Sequence, residues 1–261
     1  MLRRLLRLYQ EAHVPFFAAA LAYYALLSLM PLLFLLVGVF GLLLSGNAAL
    51  RAEFLEGVAA LALSLFPARP ELAEDLLRFL TRSAFPLTLF SGLLLLWSGS
   101  NFFAALSYAL GLIFGRPPGL RHRLLGLLMP FLLGLGLMLL SLLGLFLGFF
   151  LRFLPPGWRG LWGPVEGLLP LLAAFLLFLF TYAFFRGVGA LRDLLPLSAG
   201  AGVATLLFEA VRLGLPRLLP RSQYELLYGP LAGFVLALLG LYLVLWVFLF
   251  GALLARAMEE A

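Results

Sequence analysis

Long, uninterrupted apolar stretches dominate this sequence, and they constrain its fold more than any other feature. A helix needs about 20 apolar residues to cross the hydrocarbon of a bilayer. Six stretches reach that length, at 16–44, 85–114, 124–151, 165–185, 194–215 and 231–255. They lack the strict alternation of a membrane β-barrel strand, so helices must satisfy their backbone hydrogen bonds. We predict an all-α integral membrane protein with six transmembrane helices.

Composition supports this fold class. The chain is 64% hydrophobic and 11% charged, whereas about a quarter of the residues of a soluble domain are charged. A water-soluble globule of this composition would expose large apolar patches and aggregate. Six spans and their loops use up the 261 residues, so we predict a single membrane domain over 1–261. The first stretch is too long for a signal peptide, and we expect it to be retained.

The segment 47–82 differs from the rest because it is rich in charge. Apolar residues recur there at helical spacing, at Phe54, Val58, Leu61 and Leu65, which predicts one apolar face. Pro70 suits the first turn of a second helix. We predict two amphipathic helices in the first extracytoplasmic loop, lying on the membrane or capping the helix bundle.

The arginines predict the orientation. With six spans, both termini and the loops 115–123 and 186–193 share one side, which carries nine arginines and four acids. The other side carries nine arginines and eight acids. The positive-inside rule then places both ends in the cytoplasm, N-in and C-in. Arginines in such loops favour anionic lipid headgroups over nucleic acid as partners.

Two charged residues lie inside the fifth predicted span. Glu209 and Arg212 are three residues apart, so they share a helix face. A charge within the bilayer is costly unless it is paired or wetted, and this makes the pair a candidate functional site. The alternative is an ion pair near the outer end of the helix, where both side chains reach interfacial water.

A second group of candidates precedes the sixth span. Tyr228, Gly229 and Pro230 open that span, and Tyr224 lies one helical turn earlier. Glycine followed by proline is typical of a turn. The other interpretation is a re-entrant loop, 220–230, that dips into a cavity.

Further candidates lie in the first two spans. Pro31 removes a backbone hydrogen bond to the carbonyl of Leu27 and predicts a kink, which the Ser28 hydroxyl is placed to compensate. Tyr23 lies in the same span. Asn101 interrupts the second span and requires a polar partner, either on another helix or on a substrate.

Small residues and a basic loop complete the candidates. Gly200, Ala201, Gly202 and Ala204 predict a close helix contact in the fifth span. The loop 115–123 holds four basic side chains, Arg116, Arg121, His122 and Arg123. They indicate either a topology signal or a site for a headgroup phosphate.

Three sequence motifs resemble those of the YihY/BrkB family of bacterial inner-membrane proteins. Residues 21–33 read LAYYALLSLMPLL, and residues 206–233 read LLFEAVRLGLPRLLPRSQYELLYGPLAG. The final span carries Tyr242, Trp246 and Gly251. The resemblance covers nearly the whole chain. It implies six membrane helices, a location in the bacterial inner membrane and a link to the movement of lipid or lipopolysaccharide.

Some positions depart from the family pattern. Where the family often has Gly-Ala-Glu, this chain has Gly251, Ala252 and Leu253, so the family's acid is missing. An older family label, a tRNA-processing ribonuclease, does not suit these residues. His13 and His122 are far apart, and the sequence has no H-x-H-x-D cluster of metal ligands.

Two functions from different classes follow. One is a flippase-like transporter of a lipid or lipid-linked amphiphile, in which Arg212 binds phosphate, Glu209 holds Arg212 or takes a proton, and Tyr228 and Asn101 line the path. The other is a non-transporting scaffold that docks envelope machinery through the segment 47–82. Membrane lipids are the expected partners, and association into a homo-oligomer stays open. We expect no enzyme activity, cofactor or metal, because no nucleophile–base set or ligand cluster is evident.

Overall fold

The described residues of the chain are helical apart from short turns at helix ends. The computed structural model describes residues 2–43, 49, 52–53, 56–57, 60, 84–116, 163–187, 193–219 and 221–259. Within these ranges there is no strand. The helices are α1 (Leu2–Glu11), α2 (Val14–Leu43), α3 (Ala84–Ile113), α4 (Gly163–Arg186), α5 (Leu194–Leu218), α6 (Arg221–Tyr228) and α7 (Ala232–Glu259), with a 3₁₀ turn at Gly229–Leu231.

Five of the predicted stretches each correspond to one helix. The stretches 16–44, 85–114, 165–185, 194–215 and 231–255 match α2, α3, α4, α5 and α7, with ends that differ by up to four residues. The stretch 124–151 lies outside the described residues. The short helix α1 was not predicted, because its ten residues are too few and too charged to register as a span.

Among the residues that the structure describes, three helices are long and apolar enough to cross a membrane: Gly92–Ile113, Leu194–Leu218 and Ala232–Glu259. Shorter apolar helices run over Val14–Ser28 and Pro170–Arg186. Only 22–29% of each longer window is buried within the protein. Exposed leucines recur every four residues along α4, at Leu168, Leu172 and Leu176. Lipid is the solvent that such apolar surfaces require, and the chain is a membrane protein.

The chain divides into two compact units, with boundaries inside α2, α3, α5 and α7. The first unit comprises 1–17, 103–210 and 246–261, and the second comprises 18–102 and 211–245. In the first unit, Tyr182 is fully buried and its hydroxyl donates to the carbonyl of Phe248 at 2.5 Å. The ring of Phe178 packs against the ring of Tyr182, at a centroid distance of 6.5 Å, and against the ring of Phe248, at 5.6 Å. These aromatic side chains join α4 to α7.

Small residues bring α5 and α7 together in the same unit. A Cβ at Gly200 would collide with the carbonyl oxygen of Gly251 and would lie 2.8 Å from Cβ of Ala255. A Cβ at Gly251 would lie 2.6 Å from Cβ of Ala204. The two backbones therefore approach more closely than any larger side chain permits. This confirms the predicted close contact for Gly200 and Ala204. Gly202 has open space within 4 Å and takes no part in it.

The helix α1 belongs to the first unit, where a hydrogen bond connects it to α7. The indole N–H of Trp246 donates to the hydroxyl of Tyr9 at 3.0 Å. Ala12 and His13 form the turn into α2, and His13 has a φ of 47°. His is among the non-glycine residues that tolerate this left-handed conformation. The side chain of His13 is exposed.

The second unit holds α6 and the 3₁₀ turn. In this unit Leu215 of α5 lies beside Gly240 of α7, where a Cβ would be 3.4 Å from Cδ2 of the leucine. The segment 47–82 is described at six positions, which are helical and exposed: Ala49, Ala52, Glu53, Glu56, Gly57 and Ala60. Their spacing follows one helix face. The predicted apolar face lies outside the described residues, so the amphipathic insertion stays a prediction.

Candidate functional site

A charged cluster lies where α4 and α7 of the first unit end. Arg186, in the last turn of α4, donates from Nε to both carboxylate oxygens of Glu259, at 2.9 Å each. Arg256, in the last turn of α7, places Nη1 3.5 Å from the same carboxylate. The Glu259 side chain is 10% exposed, and those of Arg186 and Arg256 are 26% and 27% exposed. A nearly buried carboxylate thus holds two more accessible guanidinium groups.

The end of α3 joins the same cluster through two glycines. Gly115 and Gly187 both have positive φ, at 65° and 66°. A Cβ at Gly115 would lie 3.5 Å from Nη2 of Arg256, and a Cβ at Gly187 would lie 2.7 Å from Nη1 of Arg116. The positive φ favours glycine at both positions, and the absence of a side chain at Gly187 also leaves room for the Arg116 guanidinium. We call Arg116, Arg186, Arg256 and Glu259 the arginine cluster.

Backbone bonds cap the two helices that end at these glycines. At the end of α3, Gly115 N–H donates to Leu112 and Arg116 N–H donates to Gly111, the pattern of a Schellman motif. At the end of α4, Gly187 N–H donates to Ala183 at 2.8 Å. The carbonyl groups of Gly111, Leu112 and Ala183 thus accept hydrogen bonds from the backbone. The arginine side chains are therefore not required as their hydrogen-bonding caps.

A cavity of about 260 Å³ opens in the same unit, beside the ends of α1 and α3. Its walls are Leu8, Glu11, Ala12, Leu112, Ile113 and Leu253. Five of these six residues are apolar, and the sixth is an acid. Glu11 also lies 3.7 Å from Nε of Arg7, in a pair whose side chains are about two-thirds exposed. Such a cavity suits part of an amphiphile, because it offers apolar contact next to polar groups.

The cavity and the arginine cluster share helix ends. Leu253 precedes Arg256 by one helical turn, and Ile113 precedes Arg116 by three residues. In the described part of the chain, no group of three His, Asp or Glu side chains is placed to hold a metal ion. The chemistry that these residues offer is the binding of an anion by guanidinium groups and the burial of an apolar segment.

The predicted pair Glu209 and Arg212 lies on α5, as expected. Glu209 is half-buried and Arg212 is exposed. Their depth in a bilayer is not defined by the described residues, so the choice between a functional site and an interfacial ion pair stays a prediction.

The residues before the sixth span form a short helix followed by a 3₁₀ turn, and whether the segment 220–230 enters the membrane as a re-entrant loop stays a prediction. Residues Arg221–Tyr228 form the helix α6, and Gly229–Leu231 form a 3₁₀ turn that leads into α7. Gly229 has a φ of 54°, which explains the glycine there. Tyr224 and Tyr228, one helical turn apart, stack with ring centroids at 5.9 Å. The glycine–proline pair was interpreted correctly as a bend, but the eight-residue helix before it was missed.

The candidates of the first two spans are not joined to that tyrosine pair. Among the described residues, no hydrogen bond or ring contact links Tyr23, Ser28 or Asn101 to Tyr224 or Tyr228. Tyr23 is exposed and contacts Tyr24, with ring centroids at 5.6 Å.

Ser28 differs from the prediction, whereas the kink at Pro31 stays a prediction. The helix α2 continues through Pro31, which is buried. Ser28 donates to the carbonyl of Ala25 at 2.8 Å. The carbonyl that Pro31 leaves without its helical partner is that of Leu27, so the expected compensation by Ser28 is wrong. Asn101 is half-buried and forms no hydrogen bond to another described side chain.

Sequence reasoning missed the arginine cluster as a unit. Arg116 was considered only with its loop neighbours, while Arg186, Arg256 and Glu259 entered only the count of charges. A usable signal existed, because the predicted orientation places all four residues on one side of the membrane. The sequence does not encode in any simple pattern which of those side chains meet, since that depends on how three helices pack.

Comparison with known proteins identifies the family. Comparison with curated proteins finds no match, and comparison with solved structures finds none either. A family model described as Virulence factor BrkB matches residues 5–261. The match confirms the resemblance seen in the three sequence motifs. Because it spans nearly the entire chain, this membrane protein belongs to the virulence factor BrkB family.

Proposed function

We propose that the chain moves a lipid or lipid-linked amphiphile across the bacterial inner membrane, in the manner of a flippase. The observation that carries this proposal is the cavity with five apolar walls and one carboxylate, Glu11, next to the arginine cluster. Its volume of about 260 Å³ is slightly below the range usual for pockets that enclose a drug-sized ligand. It would hold a headgroup or part of an acyl chain, while the rest of the molecule stays in the bilayer.

A membrane crossing by the undescribed segment 124–151 is part of the proposal. The ends of α3 and α4 lie together, because Arg116 contacts Gly187. The helix α4 has 24 residues and extends about 36 Å, so its first residue lies far from the end of α3. Arg116 and Gly163 therefore lie about one helix length apart, which agrees with the predicted span at 124–151. This supports the proposal of six spans, while the cytoplasmic position of both ends depends on the distribution of arginines.

Reconstitution tests the proposal directly. Purified full-length protein is placed in liposomes that carry a fluorescently labelled phospholipid, and the dye exposed on the outer leaflet is quenched chemically. We expect wild-type protein to raise the rate of exchange between leaflets above that of empty liposomes. Equal rates with and without protein would refute transport of that lipid class, and a series of labelled headgroups extends the test to other amphiphiles.

A matched pair of variants on α3 tests the role of the cavity. Leu112 lines the cavity and is partly exposed, whereas Leu93 is exposed on the same helix and is not among the residues that line the cavity. Leu112→Trp fills the cavity and should return the rate to that of empty liposomes, while Leu93→Trp should leave the rate unchanged.

The hypothesis that Arg212 binds the phosphate predicts that an Arg212→Ala variant exchanges lipid more slowly than wild type. An Arg212→Ala variant as fast as wild type would remove that residue from the path.

The second candidate function is a scaffold that docks a partner through the segment 47–82. The exposed helical positions Glu53 and Glu56 favour it, since they present charge on one helix face. In that case wild-type protein would not accelerate lipid exchange, and Glu53→Ala with Glu56→Ala would reproduce the envelope defect of a deletion strain. Variants that restore the envelope as well as wild type would exclude this docking surface.

A further inference from the structure

We propose that the arginine cluster is a binding site for a phosphate group, with Arg186 and Arg256 as the main ligands and Arg116 as the third. A phosphate on a lipid headgroup and free phosphate share this chemistry. The inference depends on the proposed function only in naming the headgroup as the source, because binding can be measured without transport.

Glu259 is a positioning residue in this site. It accepts two hydrogen bonds from Nε of Arg186 and lies 3.5 Å from Nη1 of Arg256. Its carboxylate is nearly buried, while both guanidinium groups keep about a quarter of their surface open. The carboxylate therefore holds one nitrogen of each guanidinium in place. The Glu259 bonds use only one of the five N–H donors of Arg186, and phosphate is an acceptor that matches the planar fork of the others.

The glycines determine where the arginines lie. A side chain at Gly187 would overlap the guanidinium of Arg116, whose Nη1 and Nη2 would be 2.7 Å and 2.9 Å from the added Cβ. A Cβ at Gly115 would be in ordinary van der Waals contact with Nη2 of Arg256, at 3.5 Å. Both guanidiniums therefore lie beside a glycine at a helix end. This arrangement brings arginines from three helix ends into one place, although their positions in the sequence are far apart.

Compensation of helix dipoles is the alternative reason for arginines here. Each helix C-terminus carries roughly half a negative charge, so three ends and Glu259 offset most of the charge of three arginines. Net charge alone would thus attract an anion only weakly, and the site depends on directional guanidinium bonds. One observation favours binding over compensation alone, because the glycine caps already satisfy carbonyl groups of α3 and α4.

The neighbouring cavity indicates a lipid as the source of the phosphate. Leu253 and Ile113 line the cavity and lie one helical turn from Arg256 and Arg116. A molecule with its phosphate at the arginines would therefore have an apolar cavity within reach of its glycerol and acyl portion. Free phosphate would gain nothing from that cavity, and this difference separates the two sources.

Calorimetric titration of the full-length protein tests the site. The protein is kept in a maltoside detergent, which carries no phosphate, and the probes are dihexanoyl phosphatidic acid and inorganic phosphate. Arg186→Gln and Arg256→Gln should each weaken binding of the short-chain lipid by about tenfold or more, as expected for the loss of a charge-assisted hydrogen bond. Arg217→Gln is the matched control, because Arg217 is also in the last turn of a helix, α5, and it should bind as wild type does.

The outcomes separate the possible explanations. Tighter binding of the lipid than of inorganic phosphate supports a headgroup site, and equal affinities that both fall in the glutamine variants support a site for free phosphate. Wild-type affinity in both glutamine variants, or an equal loss in Arg217→Gln, would overturn the proposal.

If the glutamine variants do not fold, the Arg186→Lys and Arg256→Lys variants replace them. They keep the charge and lose the planar fork, so we expect weaker binding at an unchanged melting temperature, and wild-type affinity would again overturn the proposal. A wild-type protein that binds the probe but does not move lipid would refute transport while leaving the phosphate site intact.

Discussion

Arg186 and Glu259 connect the ends of α4 and α7 through two hydrogen bonds of 2.9 Å from one guanidinium nitrogen. The carboxylate is nearly buried, and a second arginine, Arg256, lies beside it. Removing one partner from such a pair leaves a charge that water reaches poorly. The contact should therefore matter for stability as well as for ligand binding.

Glu259→Gln is expected to lower the stability of the protein by about 1–3 kcal/mol, because it leaves two guanidiniums without their anionic acceptor. The exposed pair of Arg7 and Glu11, at 3.7 Å, provides the contrast, and Arg7→Gln should change stability by less than about 1 kcal/mol. Thermal unfolding in detergent measures both. Similar melting temperatures for the two variants would show that burial does not strengthen the Glu259 contact.

Two glycines on α5 give a second prediction. Gly200→Ala forces a methyl group into the backbone of α7 and should cost about 1–3 kcal/mol through overpacking. Gly202→Ala meets open space and should be neutral or stabilising by about 0.5–1 kcal/mol, because alanine favours a helix over glycine. Melting temperatures of the two variants test this difference. A tolerated Gly200→Ala variant would contradict the close approach of α5 and α7.

Tyr182→Phe removes the buried hydrogen bond to the carbonyl of Phe248. We expect a loss of about 1 kcal/mol, the usual net value of such a bond. Tyr23→Phe is the control, because Tyr23 is exposed on α2, and it should unfold at the wild-type temperature. The prediction fails if Tyr182→Phe also unfolds at that temperature.

The chain has no cysteine. A single introduced cysteine is therefore the only thiol of the protein that a maleimide can label, and its labelling reports the side of the membrane on which it lies. With both ends in the cytoplasm, an Arg7→Cys variant in whole cells should react with a membrane-impermeant maleimide only after permeabilisation. A Glu53→Cys variant, at an exposed helical position, should react without it. The opposite pattern, or labelling of both variants from outside, would contradict the proposed orientation.

The main helices were predictable from the sequence because hydropathy reports burial in lipid directly. The ends of α3 lie one residue from the predicted stretch 85–114. The helix α1 was missed because Arg3, Arg4 and Arg7 mask its apolar residues from any hydropathy reading. The helix α6 was missed for a related reason, since the glycine and proline at 229 and 230 dominate the local pattern.

The site was less predictable than the fold. Glu209 and Arg212 attracted attention as charges in an apolar helix. Arg186, Arg256 and Glu259 did not, because charges at helix ends are ordinary in a membrane protein. Their contact depends on the packing of α4 against α7 through Tyr182 and Phe248. Gly200 was predictable only as a member of a run of small residues, and the structure was needed to distinguish it from Gly202.

The central claim is that an amphiphile occupies the cavity next to the arginine cluster, and photo-crosslinking in native membranes tests it most directly. Cells that express the protein are supplied with a photoactivatable phospholipid precursor, and labelled peptides are mapped after irradiation. We predict labelling at the cavity residues Leu8, Glu11, Ala12, Leu112, Ile113 and Leu253. This labelling should be abolished by Leu112→Trp and retained in Leu93→Trp. Labelling confined to outward-facing leucines such as Leu168 and Leu172, and unchanged by Leu112→Trp, would contradict the account.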